Sequence, residues 1–250
     1  MPYFTSNNHR LFYREQGSGP LLLILHGNTA SSALHLGELE YFGRRYHAVA
    51  LDLAGCGQSE RLAVWPDDWW AQGGRDAAAL AGHLGYERGL VMGASGGAIS
   101  ALWMAIEHPQ CVQAVMADSC VEKLSAEFGG RLVDERRLRT PGQVGFWRAA
   151  HGDDWEQVVD ADTALIRRFL AAGGDWFKGR LGEIECPVLF SNSLRDELAE
   201  DVARQVSNMA LQVKGSRVYF TSEGSHPLMW SRPDEFRRVA DWFLAAVTAQ

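Results

Sequence analysis

A serine, an aspartate and a histidine that together could carry out acyl transfer occur in the order Ser95, Asp196, His226. A serine hydroxyl attacks a carbonyl only when a base removes its proton. A neutral imidazole does so when a carboxylate fixes its tautomer and stabilises the imidazolium that forms. Ser95 stands in Gly93-Ala94-Ser95-Gly96-Gly97, a G-x-S-x-G pentapeptide. In a chain with 26 glycines this pattern alone is weak, and its surroundings decide its meaning. The apolar run Gly89-Leu90-Val91-Met92 precedes it, and Ala98, Ile99, Ala101, Leu102, Ala105 and Ile106 follow at helical spacing. A strand turning sharply into a helix around a serine holds the hydroxyl above the sheet, at a helix N-terminus that favours developing negative charge. Small residues either side leave room for the turn.

The partners must then lie at other strand ends. Asp196 follows the apolar run Val188 to Phe190, and His226 lies in Glu223-Gly224-Ser225-His226-Pro227, past a run ending at Phe220. Asp118, in Met116-Ala117-Asp118-Ser119, also ends an apolar run and stands as the alternative acid. An oxyanion needs two backbone N–H donors. Gly96 would supply one. The other would come from His26-Gly27-Asn28-Thr29, where Gly27 permits a tight turn and Asn28 donates. His26 and Asp52 read as scaffold, Asp52 bonding the backbone of its own turn. His9 and His47 flank strands, His83 and His108 lie near helix ends, and His35 and His151 have no chemical context. Glu197 and Asp201 read as solvated helix residues.

These loops need a particular frame. Strands are predicted over Tyr3 to Thr5, Leu11 to Glu15 (paired through an Asn7-Asn8 turn), Leu21 to Leu25, Tyr46 to Leu51, Leu90 to Met92, Val112 to Ala117, Val188 to Phe190 and Arg217 to Phe220. Helices are predicted over Leu36 to Arg45, Trp69 to Leu84 and Gly97 to Glu107. A last helix carries a Phe236, Val239, Ala240, Phe243, Leu244, Val247 stripe. Strand and helix in alternation predict an α/β fold with a doubly wound, mostly parallel sheet. From about Glu122 to Glu183 the alternation stops, and a charged, aromatic, helical pattern takes over. We therefore expect a core of residues 1–121 and 184–250 and a helical cap of residues 122–183, with Trp147, Trp155 and Trp176 as candidate pocket walls.

Composition narrows the partners. At 46% hydrophobic and 22% charged residues, the chain can bury a full core. A net charge of −7 argues against nucleic acid and anionic membrane surfaces as partners. No apolar run is long enough to span a bilayer, and Met1-Pro2-Tyr3-Phe4-Thr5 does not read as a signal peptide. Cys56, Cys111, Cys120 and Cys186 are scattered without metal-ligand spacing, so reduced thiols and a cytoplasmic location are expected.

His26-Gly27, Asp52-x-x-Gly55-x-Gly57-x-Ser59, Gly93-x-Ser95-x-Gly97, Asp196 and His226, in this order over nearly the whole chain, resemble the α/β-hydrolase fold superfamily. Haloalkane dehalogenases and epoxide hydrolases of that fold carry an aspartate at the elbow, where this chain has Ser95. Cys186-Pro187, Lys214-Gly215-Ser216-Arg217, Glu223-Gly224-x-His226 and Asp234-Glu235-Phe236 are similar to the biphenyl-hydrolase-like or valacyclovirase-type group. That resemblance implies a cofactor-free serine hydrolase of small carboxylic esters, including amino-acid esters. The chain departs from the group at Gly96, where an acidic residue would hold a substrate ammonium, and at Ser193, where glycine is usual. Two alternatives stay open: a C–C bond hydrolase of ring-cleavage diketones, and a ligand-binding, receptor-like protein of the same fold.

Overall fold

The computed structural model describes residues 2–248. Eight strands form one sheet: β1 (Tyr3–Ser6), β2 (His9–Gln16), β3 (Leu21–Leu25), β4 (His47–Leu51), β5 (Gly89–Ala94), β6 (Val112–Asp118), β7 (Val188–Ser193) and β8 (Arg217–Thr221). Their spatial order is β1-β2-β4-β3-β5-β6-β7-β8. β1 with β2 and β2 with β4 are antiparallel, and every other pair is parallel. The Asn7-Asn8 connection has both residues at positive φ (47° and 66°), as a two-residue hairpin requires.

The central parallel strands β3 and β5 are apolar and buried throughout because both faces are covered. Along β3, Leu21, Leu23 and Leu25 enter one core, while Leu22 and Ile24 enter the other. The first core is closed by α2 (Trp69–His83) and α3 (Gly96–Glu107), with α7 (Val202–Gln212) contributing Val202, Val206 and Met209. The second is closed by α1 (Leu36–Phe42) and α9 (Pro233–Thr248), whose Phe236, Ala240, Phe243, Leu244 and Val247 are buried. The predicted stripe thus packs as its periodicity requires. The sheet and its two helical layers agree with the doubly wound reading.

Between β6 and β7 lie α4 (Ala126–Glu135), α5 (Pro141–His151) and α6 (Trp155–Ala171). The base of this insertion is closed by a lone antiparallel bridge between Lys123 and Asp175. Thr140 and Gln143 form a reciprocal capping box at the start of α5. A four-residue helix, α8 (Leu228–Ser231), follows His226. Element ends shift from expectation by up to three residues. The helix predicted to reach Arg45 ends at Phe42, because Gly43 caps it and the chain turns toward β4. Glu197 lies in a turn rather than a helix. Among the described residues no helix is long and apolar enough to cross a membrane.

Candidate active site

The loops after β3, β5, β6, β7 and β8 converge at the carboxyl edge of the sheet, where open α/β sheets place ligands. Ser95, between β5 and α3, sits at φ 54° and ψ −122°. A non-glycine residue at positive φ stores strain and is kept there only by its surroundings. The Ser95 N–H donates to the Asp118 carbonyl at 2.8 Å, and its carbonyl accepts from the N–H groups of Ala98 and Ile99. The flanking glycines allow close approach: a Cβ on Gly93 would lie 2.2 Å from the Gly97 carbonyl oxygen, and one on Gly97 would lie 2.1 Å from that of Leu25. The pentapeptide is thus required by packing of α3 against β3 and β5.

His226, after β8, donates its Nδ1–H to both carboxylate oxygens of Asp196 at 2.9 Å. The Asp196 side chain is fully buried, and that of His226 is 10% exposed. Asp196 also accepts the Leu198 N–H at 3.0 Å. Three further contacts hold the two loops together. Leu194 N–H donates to the Thr221 carbonyl, Ser193 Oγ–H donates to the Gly224 carbonyl, and Glu197 accepts the His226 N–H at 3.1 Å. Ser193, the departure from the family pattern, therefore ties the acid loop to the histidine loop. Glu197 is solvent-exposed, as expected, and its carboxylate also holds the backbone N–H of His226.

Asp118, the alternative acid, does not pair with His226. Its buried carboxylate accepts from Ser191 Oγ at 2.6 Å, from Ser119 Oγ at 3.2 Å and from the Met229 N–H at 3.0 Å. Burial pushes its pKa up to about 7. With Ser119 Oγ accepting the Leu228 N–H at 2.8 Å, Asp118 anchors the start of α8 and so the exit from the His226 loop.

The segment after β3 brings Gly27 against Ser95: a Cβ on Gly27 would lie 3.1 Å from that of Ser95. Among the described residues, neither the Gly96 nor the Asn28 N–H meets a protein acceptor. Both residues line the same cavity as Ser95 and His226. The Asn28 side chain is held separately. Its Oδ1 accepts from Trp70 Nε1–H at 3.1 Å, and its Nδ2–H donates to Asp162 of α6. It lies over Gly96 so closely that a Cβ there would be 2.0 Å from Oδ1. The space that would hold an acidic side chain at position 96 is filled by Asn28.

His26 and Asp52 are scaffold. His26 donates Nδ1–H to the Gly27 carbonyl at 2.8 Å and accepts the Leu53 N–H on Nε2 at 3.0 Å. Burial lowers its pKa to about 4, keeping it neutral. Asp52 accepts from the N–H groups of Ser32 and Gln58 at 2.6 and 2.7 Å.

The cavity measures about 540 Å³. Its walls are largely apolar and include Ile99, Val133, Phe146, Trp147, Trp176 and Trp230, with Arg136 and Gln143 among the polar lining. Of the three tryptophans expected as walls, Trp147 and Trp176 line it. Trp155 does not, because it stacks behind Trp147 at 5.2 Å. Trp230 escaped the sequence reading because it lies outside the helical insertion, on α8. His151 also escaped it, since no sequence signal marks a histidine that bridges two distant backbone groups.

The model of the alpha/beta hydrolase fold matches residues 20–163, and the chain belongs to that family. It is a hydrolase-family protein similar over most of its length to serine hydrolase BPHL of Homo sapiens, at 28% identity over 95% of this chain and 84% of that protein. Over 46% of this chain and 40% of the relative, it is 32% identical to haloalkane dehalogenase 2 of Mycobacterium tuberculosis. Among solved structures, the enol-lactonase from Burkholderia xenovorans LB400 superposes with a TM-score of 0.79 at 17% identity, covering 98% of this chain and all of that one. That likeness is one of fold.

Proposed function

We propose that this protein is a serine hydrolase of small carboxylic esters carrying apolar or aryl groups. The observation that carries the proposal is the pairing of His226 Nδ1–H with Asp196 at the edge of a cavity that His226 shares with Ser95. An imidazole protonated on Nδ1 keeps its lone pair on Nε2, the form a general base needs. Ser95 Oγ attacks the ester carbonyl as its proton passes to His226 Nε2. The tetrahedral oxyanion is stabilised by the N–H groups of Gly96 and Asn28, at the N-terminus of α3. Collapse expels the alcohol, which takes the proton from His226. Water, deprotonated by the same base, then releases the acid from Ser95 and restores the hydroxyl.

In this reading Asp196 is the acid of the triad, residues 122–183 form a cap, and residues 1–121 and 184–250 form the core. Positions 1, 249 and 250 of those ranges lie outside the described residues. The apolar cavity favours hydrocarbon or aryl groups. With Asn28 over Gly96, there is no carboxylate at that position to select an ammonium, so amino-acid esters gain no advantage from it. The chemistry needs no cofactor, the partner is a small molecule rather than nucleic acid or membrane, and four free cysteines suit a cytoplasmic location.

A fluorophosphonate probe and a panel of short-chain and aryl esters, with a vinylogous diketone alongside, test the proposal. Stoichiometric labelling abolished by Ser95→Ala, with ester turnover exceeding diketone turnover, is expected. Undiminished turnover in Ser95→Ala would sink the mechanism. Ligand binding without turnover of any substrate would favour a receptor-like role.

A further inference from the structure

We infer that the helical insertion holds the oxyanion loop in place through Asp162 and His151, which act as positioning residues for the reaction proposed above, on which this inference rests. The loop Gly27 to Ser32 has little internal support. Its backbone contact within the turn is Ala30 N–H to the Gly27 carbonyl at 3.2 Å. Thr29 stands at φ 56°, a left-handed conformation that a β-branched residue adopts only under constraint. The constraint comes from outside the loop.

Three contacts from the insertion fall on adjacent or nearby loop residues. Asp162 on α6 accepts the Asn28 Nδ2–H. His151 at the end of α5 donates Nε2–H to the Thr29 carbonyl at 3.0 Å. The carbonyl of Ala150 accepts Ser31 Oγ–H at 2.7 Å. Both side chains are themselves fixed. Asp162 is fully buried, and its other oxygen receives Arg136 Nη1 at 2.5 Å. A buried carboxylate is tolerated only with such partners, so this one has little freedom to move. His151 accepts the Gly57 N–H on Nδ1 at 3.0 Å, which places the remaining proton on Nε2, facing Thr29.

The consequence is geometric. Asn28 has two roles at one residue: its backbone N–H, which meets no protein acceptor among the described residues, is the proposed oxyanion donor, and its side chain is the handle by which α6 holds it. Oxyanion stabilisation depends on donor placement to a fraction of an ångström. Asp162 therefore acts on the transition state without touching the substrate.

A double-mutant cycle with Asn28→Ala and Asp162→Ala tests this, since Asn28→Ala removes the handle and keeps the backbone donor. Each single variant should lower kcat about tenfold to a hundredfold with KM changed less than about threefold. The double variant should match the worse single one. The Ki of a trifluoromethyl ketone should rise by the factor by which kcat/KM falls, as expected for lost transition-state binding. Asp162→Val, which offers no acceptor to Asn28 and fills more of the space than alanine, serves if the alanine variant does not fold. His151→Gln, which keeps an N–H for Thr29, should retain more activity than His151→Ala.

Hydrogen exchange of residues 27–32 gives a readout that needs no activity. Exchange there should quicken in the Asp162 variants while β5 and β6 stay protected. Unchanged protection, or kcat and Ki within twofold of the parent in a folded Asp162 variant, overturns the inference, as does multiplication of the two losses in the double variant. An inactive, unlabelled parent protein would instead reject the ester reading, while exchange still decides the clamp.

Discussion

Gly96→Ala concentrates the physics of this site in one methyl group. The new Cβ would stand 2.0 Å from Asn28 Oδ1 and 3.1 Å from Trp70 Nε1. Asn28 would have to retreat by roughly 1 Å or more to reach normal contact. Such a shift breaks the Trp70 bond to Oδ1 and the Nδ2–H bond to Asp162. A neutral hydrogen bond contributes about 0.5–1.5 kcal/mol and one to a charged group about 1.5–3 kcal/mol. Glycine to alanine in a helix returns up to about 1 kcal/mol. The expected net loss is about 1–4 kcal/mol by urea denaturation, with kcat for an aryl ester reduced about tenfold to a hundredfold as the Asn28 donor moves. The same substitution in an Asn28→Ala background is relieved of the Oδ1 clash and keeps the 3.1 Å approach to Trp70 Nε1, so its stability penalty should fall below about 1 kcal/mol. Equal penalties in the two backgrounds would refute the claim that Asn28 occupies this space. A fully active, equally stable Gly96→Ala protein would refute it more simply.

Asp196→Asn would still accept from His226 but no longer stabilise an imidazolium, so kcat should drop roughly 10²–10⁴-fold with little change in KM. Retention of most of the activity there, and its loss in Asp118→Asn, would move the acid to Asp118. The Asp118 carboxyl, raised from 3.8 to about 7 by burial, contributes stability below pH 3.8 that is lost as pH rises to 7. In urea titrations at a series of pH values, Asp118→Asn should therefore gain on wild type between pH 4 and 7, and a constant difference would contradict the shift. His151 has the opposite sign. Burial lowers it from 6.5 to about 4, so its contribution is present above pH 6.5 and lost as pH falls to 4. The advantage of wild type over His151→Gln should shrink by up to about 3 kcal/mol across that interval. His26, Arg61 and Asp154, the other charged or titratable groups acting on His151, are common to both proteins. Trp230→Ala should raise KM for aryl esters about tenfold and leave that for acetyl alkyl esters nearly unchanged; equal effects on both would remove Trp230 from the pocket wall.

Much of the frame was legible because burial on both faces leaves a plain signature. Leu21 to Leu25 could only be an interior parallel strand, and the Phe236 to Val247 stripe only a helix on one face of the sheet. Ser95 was legible because glycines at 93 and 97 answer a local demand: α3 packs so tightly on β3 and β5 that a Cβ clashes. Glu197, His151 and Trp230 were not legible. Each acts on residues far along the chain, and no spacing rule connects Glu197 to the backbone of His226, or His151 to Gly57 and Thr29.

The sequence by itself determined the sheet, the elbow and the candidates Ser95, Asp196, Asp118 and His226, since strand ends and turn glycines are local properties. Only the tertiary structure decided among and beyond them. It set Asp196 rather than Asp118 against His226, because Asp118 is already surrounded by Ser191, Ser119 and the start of α8. It also filled the space over Gly96 with a side chain from the β3 loop and linked that side chain to a buried carboxylate on α6. Hydrogen bonds between residues more than a hundred positions apart depend on how layers pack, and that is settled only when the whole chain is folded.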